Sequence, residues 1–590
     1  MMSSTGRLDR VLPGLCGFGL AVAVAMVAAI VFFLVDGMRS GDVDWWGLVA
    51  GSDWSPRALD FGAAPMIWGT LIVSTIALAI AAPVGWGIAL ATKTLLSDRL
   101  AGLATAWIQF LAVVPSVVWG LIAVVYVRPL MRAATGSASG DSILAAGLVL
   151  AAMVLPIVTA VSLDALHAVP RSLQDAARCC GVSDMSVARS VLVPSASRGL
   201  VAGLLLGLSR ALGETVAVYL VIGRVDGRLP DGVRSAVSSV AHPGQTLTTK
   251  LNSPESVLAG TSGSYWATMC ALAFMLMAMT LVVGLVGARL ASMTRATRCC
   301  GPNRGTGRRS IAVKDGATRA ALVAALLVGV ALSATVFLIV AARGIEVASP
   351  GLLVRRSSGV TGGGLRDQGL GSGLLILTAA LLACPVGCLA GLFAFRGVDR
   401  RPRRTPRIVA LVLAGVPSIV LGLAGYGLLI SRFGLGKSWL AGGVVLAIVA
   451  VPYVVVAVST RVDAAPPSQV FAASTLGLGT SQTLRSVVYP FAKPALISGS
   501  LLGLARAIGE TAPLLFTATV FAGASFPPSS IADAPVVSLP THLFTIVQDS
   551  TSPEARQVAW ATALTLLLAA QLMVVVAQVY ERRARREVAT

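Results

Sequence analysis

Residues Arg210–Thr215 read RALGET, and residues Arg506–Thr511 repeat them as RAIGET with a single substitution. Each copy closes a long apolar run, so an arginine and a glutamate are placed at the depth of a lipid bilayer. Burying such charges in a membrane is costly, and ionisable residues found there mark functional sites by default. The repeated hexapeptide therefore indicates a membrane protein with a site that is built twice.

The match between the two copies extends far beyond the hexapeptide. Residues Pro156–Thr215 align without gaps on Pro452–Thr511, and 24 of these 60 positions are identical. Upstream the offset grows from 296 to 302, where Val114–Ser116 corresponds to Val416–Ser418. The chain is a duplication whose unit of roughly 290 residues is far longer than the repeats of solenoid proteins.

The composition defines the class of the protein. Hydrophobic residues fill 56% of the 590 positions and charged residues only 12%, whereas soluble domains contain about 25% charged residues. The net charge is +20. The basic residues that cause it cluster in short loops between apolar runs and form no basic face with interleaved aromatic residues. We therefore expect the chain to lie in a lipid bilayer and not to bind nucleic acid. The cysteine spacing and the few histidines predict no metal or other cofactor.

Twelve apolar runs are long enough to cross about 30 Å of hydrocarbon as helices. They lie at roughly 12–35, 67–92, 104–127, 143–163, 199–222 and 265–288, and at roughly 320–341, 371–395, 408–430, 439–460, 494–517 and 557–580. We predict an all-α polytopic membrane protein with about twelve transmembrane helices in two homologous six-helix halves. The predicted units are a first half over 1–290, a basic linker over 291–319 and a second half over 320–590.

Clusters of basic residues predict the orientation. The densest clusters, Arg289–Arg319, Arg396–Arg407 and Arg582–Arg586, all fall on the same side of the predicted spans. Positively charged loops stay in the cytoplasm, so both termini and the linker are predicted to be cytoplasmic in a multi-pass protein of the plasma membrane.

Long segments on the opposite side, 223–264 and 518–556 among them, contain Gly, Pro, Ser and Asp without strong periodicity. Such composition is typical of surface loops. We therefore expect His242 and His542, which lie in these segments, to be in contact with solvent.

A polar segment of about 35 residues separates the fourth and fifth spans of each half. The pattern predicts a helix up to a glycine, a turn at that glycine and a short second helix that ends at Pro194 or Pro490. A compact helix pair of this kind offers a docking surface to a cytoplasmic partner. The candidate docking residues are Asp175, Ala176, Ala177, Gly181, Ala472, Ala473 and Gly477.

These segments resemble the EAA loop of bacterial ABC-importer permeases, in which a glycine lies six positions after the first motif residue and a proline thirteen further on. Asp175 replaces the usual glutamate, and Phe471 leaves the second loop without an acid. Together with the RAxGET hexapeptides, the loops are similar to the permeases of phosphate-specific transport (Pst) importers, PstC in the first half and PstA in the second, fused in one chain.

The resemblance covers nearly the whole chain and implies a permease fold of the MetI-like type. It implies an ATP-driven importer for inorganic phosphate that alternates access between the two sides of the membrane. The implied partners are a PstB-like ABC ATPase dimer at the cytoplasmic face and an extracytoplasmic PstS-like phosphate-binding protein. The chain would then be a transport permease and not an enzyme, because the separate subunit hydrolyses ATP.

The repeated motif suits a tetrahedral oxyanion on chemical grounds. Residues four positions apart project from one helical face, and arginine donates two parallel hydrogen bonds while it keeps its charge. A neighbouring carboxylate repels an anion unless that anion carries a proton, as phosphate does near neutral pH and sulfate does not. We predict a substrate path that contains Arg210, Glu214, Thr215, Arg506, Glu510 and Thr511.

Other functions remain open at this stage. A secondary transporter of the major facilitator type would use Glu214 and Glu510 as proton carriers, although it has no use for EAA-like loops. A permease for another oxyanion would differ only in its substrate. A membrane-embedded enzyme is disfavoured because no catalytic constellation emerges, and Ser116 and Ser418, which follow prolines, are predicted to relieve backbone breaks and not to act as nucleophiles.

Overall fold

The computed structural model describes residues 5–227, 229–253, 263–293, 308–347, 350–356, 364–395, 397, 404–519, 527–528, 530–549 and 552–589. Eleven of the described helices are long and apolar enough to cross a membrane, and a pair of helices bent by 87° forms a twelfth span. The predicted fold class, an all-α polytopic membrane protein, is confirmed. Nearly half of the predicted linker, residues 294–307, lies outside the described residues.

The first half contains fourteen described helices and a small hairpin. The helices are α1 Thr5–Met38, α2 Trp45–Ala50, α3 Ala64–Thr94, α4 Asp98–Ala112, α5 Ser116–Ile122, α6 Arg128–Thr135, α7 Ile143–His167, α8 Arg171–Cys179, α9 Asp184–Val187, α10 Val193–Leu212, α11 Val216–Tyr219, α12 Val233–Ser239, α13 Leu247–Leu251 and α14 Ser264–Ser292. The hairpin pairs β1 Trp54–Ser55 with β2 Asp60–Phe61 in antiparallel fashion. Two π-helical segments, Ala123–Val127 and Ala188–Leu192, join α5 to α6 and α9 to α10.

The second half repeats this order. Its described helices are α15 Arg308–Ile345, α16 Pro350–Val354, α17 Arg366–Leu392, α18 Thr405–Gly415, α19 Ser418–Gly425, α20 Trp439–Asp463, α21 Pro467–Thr475, α22 Thr480–Thr483, α23 Tyr489–Ala507, α24 Ala512–Thr517, α25 Leu539–Asp549 and α26 Pro553–Ala589. Even the π-helical segments recur, as Tyr426–Arg432 after α19 and Leu484–Val488 between α22 and α23. The duplication seen in the sequence is therefore a structural repeat.

Four predicted spans are broken, two at the prolines where the sequence analysis predicted a backbone break and two where it predicted continuous helices. The runs 104–127 and 408–430 break before Pro115 and Pro417, because proline lacks an N–H and disfavours helical geometry in the residue before it. The runs 199–222 and 494–517 break within the two hexapeptides. The two hexapeptide breaks lie inside long apolar runs, so hydropathy does not detect them.

The predicted end of the second short helix at Pro194 or Pro490 is wrong. From Asp184 the backbone continues through the π-helical segment into α10 without a break, and the same holds from Thr480 into α23. The π-helical segment ends two positions before the proline, and its wider turn accommodates a residue that lacks an N–H and would clash with the carbonyl four positions earlier.

The first helix of each half crosses to the other half. Gly19 of α1 lies against Leu389 of α17, whereas Phe33, near the end of α1, packs on Trp266 of its own half with ring centroids 6.0 Å apart. α15 follows the same course. Its Gly329 lies against Ile88 of α3, and its end returns to α26 of its own half. We call α1 and α15 the brace helices.

Two segments that the sequence predicts as surface loops are buried helices. All residues from Thr246 to Leu251, the cap and body of α13, are at most 3% exposed, and His542 of α25 is 6% exposed. Thr70 Oγ1 accepts a hydrogen bond from the Leu247 N–H at 2.9 Å, and Ser372 Oγ accepts one from the Leu539 N–H at 2.8 Å. The prediction of solvent contact is wrong for His542, while His242 is exposed.

Candidate functional site

The two hexapeptides lie where a long helix ends and a short one begins. Glu214 lies in the gap between α10 and α11, and Glu510 lies in the gap between α23 and α24. Thr215 and Thr511 open the short helices with nearly identical backbones, φ −114° and −115°. Breaks of this kind at membrane depth are tolerated where the backbone is buried in protein or lines a cavity.

Each glutamate forms an ion pair with the arginine four positions before it. Arg210 Nη2 lies 3.1 Å from Glu214 Oε2, and Arg506 Nη2 lies 2.9 Å from Glu510 Oε1. The glutamate side chains are 4% and 8% exposed, whereas the arginines are 28% and 21% exposed. The arginines thus face open space with the glutamates behind them, and a guanidinium with five N–H donors retains donors for a further ligand.

A serine supports each glutamate from the neighbouring broken span. The Ser116 hydroxyl donates to the Glu214 carboxylate, and the Ser418 hydroxyl donates to the Glu510 carboxylate. The sequence analysis assigned both serines only to the relief of backbone breaks and missed this role. A signal for it existed, because the Val-Pro-Ser triplets recur in both halves.

The two motifs meet the opposite half through their glycines. A Cβ atom on Gly213 would lie 3.6 Å from Pro417 Cβ, and one on Gly509 would lie 3.1 Å from Pro115 Cβ. Each hexapeptide of one half therefore touches the proline break of the other half. At Gly509 a side chain would be tighter than ordinary contact, so glycine permits the close approach of the two halves.

A cavity of about 290 Å³ opens between the halves at these contacts. Its wall includes Arg210, Arg506 and Glu510, so one space joins the two repeats. Tyr453 and Ile157 also line it from equivalent positions of the repeat, which makes the wall chemically asymmetric. The predicted path residues Thr215 and Thr511 are buried beside the cavity, at 1% and 0% exposure.

The cavity extends toward the end of the bundle that carries the helix pairs α8–α9 and α21–α22, which we call the loop face. Its wall takes Leu206 and Ser209 from α10, which starts at the loop face, and Leu281 and Leu285 from α14. It also takes residues from the end of α18, which precedes the break at Pro417.

Buried helices close the side of the motifs away from the loop face. Thr248 Oγ1 of α13 donates to the Glu214 carbonyl at 2.9 Å. Across the two halves, Tyr219 of α11 packs on Phe544 of α25 with ring centroids 5.6 Å apart. Arg224 Nη1 donates to the Tyr219 hydroxyl at 2.7 Å. The structure therefore leaves the arginines accessible from the loop face and covers them on the other side.

The candidate docking residues lie on the loop face around two left-handed glycines. Gly181 and Gly477 have φ of +74° and +77°, and a Cβ atom on either would meet nothing within 4 Å. Conformation, and not crowding, therefore favours glycine here. Asp175 is exposed and lies 3.6 Å from Arg178. Of the remaining predicted residues, Ala176 and Ala472 are exposed, Ala177 is half-buried and Ala473 is buried.

Comparison with known proteins gives two matches to one family model. The model of the binding-protein-dependent transport system inner membrane component matches residues 81–295 and 383–586. Phosphate transport system permease protein PstA 2 of Mycobacterium bovis is 33% identical over 284 residues, which cover 47% of this chain and 93% of the relative. Each match to the family model includes one hexapeptide and one glycine loop.

Two further relatives carry the name PstC. Phosphate transport system permease protein PstC 1 of Mycobacterium bovis is 34% identical over 249 residues, 39% of this chain and 72% of the relative. The PstC protein of Haemophilus influenzae is 32% identical over 243 residues, 38% of this chain and 77% of the relative. Each of these relatives aligns with less than half of the chain.

Proposed function

This chain belongs to the family of binding-protein-dependent transport system inner membrane components, and on that premise we propose that it imports inorganic phosphate with energy from a separate ABC ATPase. It is a multi-pass membrane protein with two family units in one chain. The relatives named above are phosphate transport permeases. The proposal rests chiefly on one observation, a single cavity between the halves whose wall includes Arg210, Arg506 and Glu510, with Glu214 buried behind Arg210.

Within each pair the charges of the arginine and the glutamate cancel. To bind phosphate, each arginine must therefore exchange part of its contact with the glutamate for a contact with the phosphate. The phosphate oxygens accept hydrogen bonds from the N–H groups of Arg210 and Arg506, and each arginine turns partly away from its glutamate. The glutamates then need other donors. Ser116 and Ser418 already supply one each, and a protonated phosphate oxygen supplies another. Sulfate has no proton near neutral pH, so a carboxylate within reach favours phosphate over sulfate.

Two continuous helices connect the loop face, where an ATPase would bind, to the arginines in the wall of this cavity. A continuous helix of 29 residues, Asp184–Leu212, connects the Gly181 turn to Arg210, and one of 28 residues, Thr480–Ala507, connects the Gly477 turn to Arg506. At 1.5 Å per residue each helix is about 40 Å long. An ATPase bound at the loop face would thus move each arginine through one rigid element.

The proposed setting follows from this arrangement. The loop face and both termini lie in the cytoplasm of a bacterium, where a PstB-like ATPase dimer binds the two glycine turns. A PstS-like binding protein delivers phosphate to the opposite face of the plasma membrane. Because two units are fused, one copy of the chain supplies both halves of the path.

Reconstitution tests the function. Proteoliposomes that contain the chain and the ATPase, with phosphate-loaded binding protein outside, should take up radiolabelled phosphate only when ATP is present inside. A tenfold excess of sulfate should not compete in the parental protein, whereas Glu214→Gln and Glu510→Gln should admit competition, because an amide donates as well as accepts. Uptake driven by a proton gradient without ATP would instead identify a secondary transporter. ATP-dependent uptake of another oxyanion, with none of phosphate, would correct the substrate.

A further inference from the structure

The loop-face end of the brace helix α15 grips the first glycine loop. Asp315 accepts hydrogen bonds from the hydroxyls of Ser183 and Ser186, the second at 3.2 Å, and forms an ion pair with Arg189. Arg189 Nη1 also donates to Thr318 Oγ1 at 3.1 Å. Two adjacent turns of a second-half helix thus hold three side chains of a first-half segment. We call these five residues the Asp315 cluster.

The cluster lies where the first loop becomes a rigid helix. Ser183 is the N-cap of α9, two residues after the left-handed Gly181, and its hydroxyl accepts from the Ser186 N–H at 3.2 Å. Arg189 lies one turn further along the continuous helix that leads to Arg210. The Asp315 side chain is only 17% exposed and that of Arg189 is 35% exposed. The contact is therefore partly shielded from solvent, which strengthens it relative to a surface ion pair.

The second loop is held by its brace helix through apolar packing. Leu12 and Cys16 of α1 belong to a cluster with Leu484 and Val488, which follow the Gly477 turn. A brace helix therefore contacts each glycine loop, and the contact of α15 with the first loop includes the Asp315 cluster.

We propose that Asp315 is a positioning residue that fixes the first glycine loop to the second half, so that the ATPase moves both halves when it moves this loop. The proposal rests on the proposed function. From the cluster, α15 runs along α3 of the first half and ends against α26 of the second. A displacement of the first loop is thereby transmitted to the opposite half by a brace that spans the bundle.

Loss of this contact should uncouple transport from ATP hydrolysis. Without the carboxylate, Arg189 loses its ion-pair partner, and the loop can pivot at Gly181, where the surrounding space is open. The ATPase then moves the loop without moving α15. A residue that only stabilised the fold would lower the amount of active protein but would leave the phosphate transported per ATP unchanged.

The test measures that ratio in proteoliposomes with the ATPase and loaded binding protein. Asp315→Asn should lower phosphate transported per ATP by about tenfold, the effect of ~1.4 kcal/mol, with ATP hydrolysis retained. The matched control is Asp184→Asn. Asp184 lies in the same loop and pairs with Arg178 at 2.9 Å, but both side chains are more than half exposed and the pair joins two residues of the loop itself, so the ratio should stay parental.

A charge exchange makes the result independent of whether Asp315→Asn folds well. Arg189→Asp with Asp315→Arg restores an ion pair across the halves and should recover most of the ratio that Arg189→Asp alone loses. A parental ratio in both Asp315→Asn and Arg189→Asp would overturn the proposal, as would an exchange that stays as low as Arg189→Asp. Failure of the parental chain itself to transport phosphate with ATP would refute the proposed function instead.

Discussion

Neutralising Arg210 and Glu214 together should separate the stability of the buried pair from its role in transport. At 3.1 Å and an effective dielectric constant of ~20, the Coulomb attraction of the pair is about 5 kcal/mol before desolvation is counted. Arg210→Gln alone leaves a carboxylate that is 4% exposed without its cation. Breaking a buried pair from one side in this way costs about 3–5 kcal/mol of folding stability.

The opposite substitution should be milder because the arginine faces the cavity. Arg210 is 28% exposed, so in Glu214→Gln its charge retains solvent, and we expect a loss of about 1–3 kcal/mol. The double variant Arg210→Gln with Glu214→Gln buries no charge and should be close to the parental stability. The expected order of unfolding temperature in detergent is therefore parental, double, Glu214→Gln and Arg210→Gln, with the first two close together.

Transport should follow a different order. Both variants without Arg210 lose a charge-assisted contact worth about 1.5–3 kcal/mol, so uptake of radiolabelled phosphate should fall ~10-fold or more. The double variant should be stable and inactive. The control is the same double neutralisation of Arg128 and Asp141, a pair at 2.7 Å outside the wall of the cavity, which should leave uptake unchanged. If the Arg210 and Glu214 double variant transports at the parental rate, the pair only joins helices.

Three further outcomes are expected. Gly181→Val should lose co-purification with the ATPase, because the left-handed conformation at φ +74° destabilises a β-branched residue by more than the ~1–2 kcal/mol of ordinary residues. Gly181→Asn should retain co-purification. Equal binding by both variants would show that the turn does not matter. A membrane-impermeant thiol reagent should miss the exposed Cys179 and Cys180 in intact cells and label them in inverted vesicles; labelling from outside would reverse the orientation. Burial lowers the pKa of His542 from 6.5 to about 4. As the pH falls, the unfolded chain therefore takes up a proton at a higher pH than the folded chain does, and the free energy of unfolding should fall by about 3 kcal/mol between pH 6.5 and 4. A His542→Leu variant with the same pH dependence would disprove this.

Sequence alone was sufficient for the features that depend on local pattern and on repetition. The duplication, the helical class and the positions of most spans follow from identities and apolar runs. The pairing of arginine with glutamate follows from a spacing of four. The left-handed turns at Gly181 and Gly477 were predictable because glycine occurs there in both copies at the end of a helical pattern.

Hydropathy failed to predict buried segments that are themselves polar. α13 is rich in threonine and looks like a loop, yet its hydroxyls are satisfied within the protein, as in the bond from Thr248 to the Glu214 carbonyl. The breaks before Pro115 and Pro417 were predictable from the prolines, whereas the breaks within the two hexapeptides were missed because they lie inside the long apolar runs 199–222 and 494–517.

Only the tertiary structure decided which parts of the two halves meet. Gly213 touches Pro417, Asp315 holds Arg189, and α1 packs on α17, and each contact joins residues more than 100 positions apart. A residue's local pattern is set by its own helix, whereas these contacts depend on how helices from two halves pack in three dimensions. The sequence therefore determined the parts of the site and its repetition, and the packing of the halves determined that the two copies share one cavity.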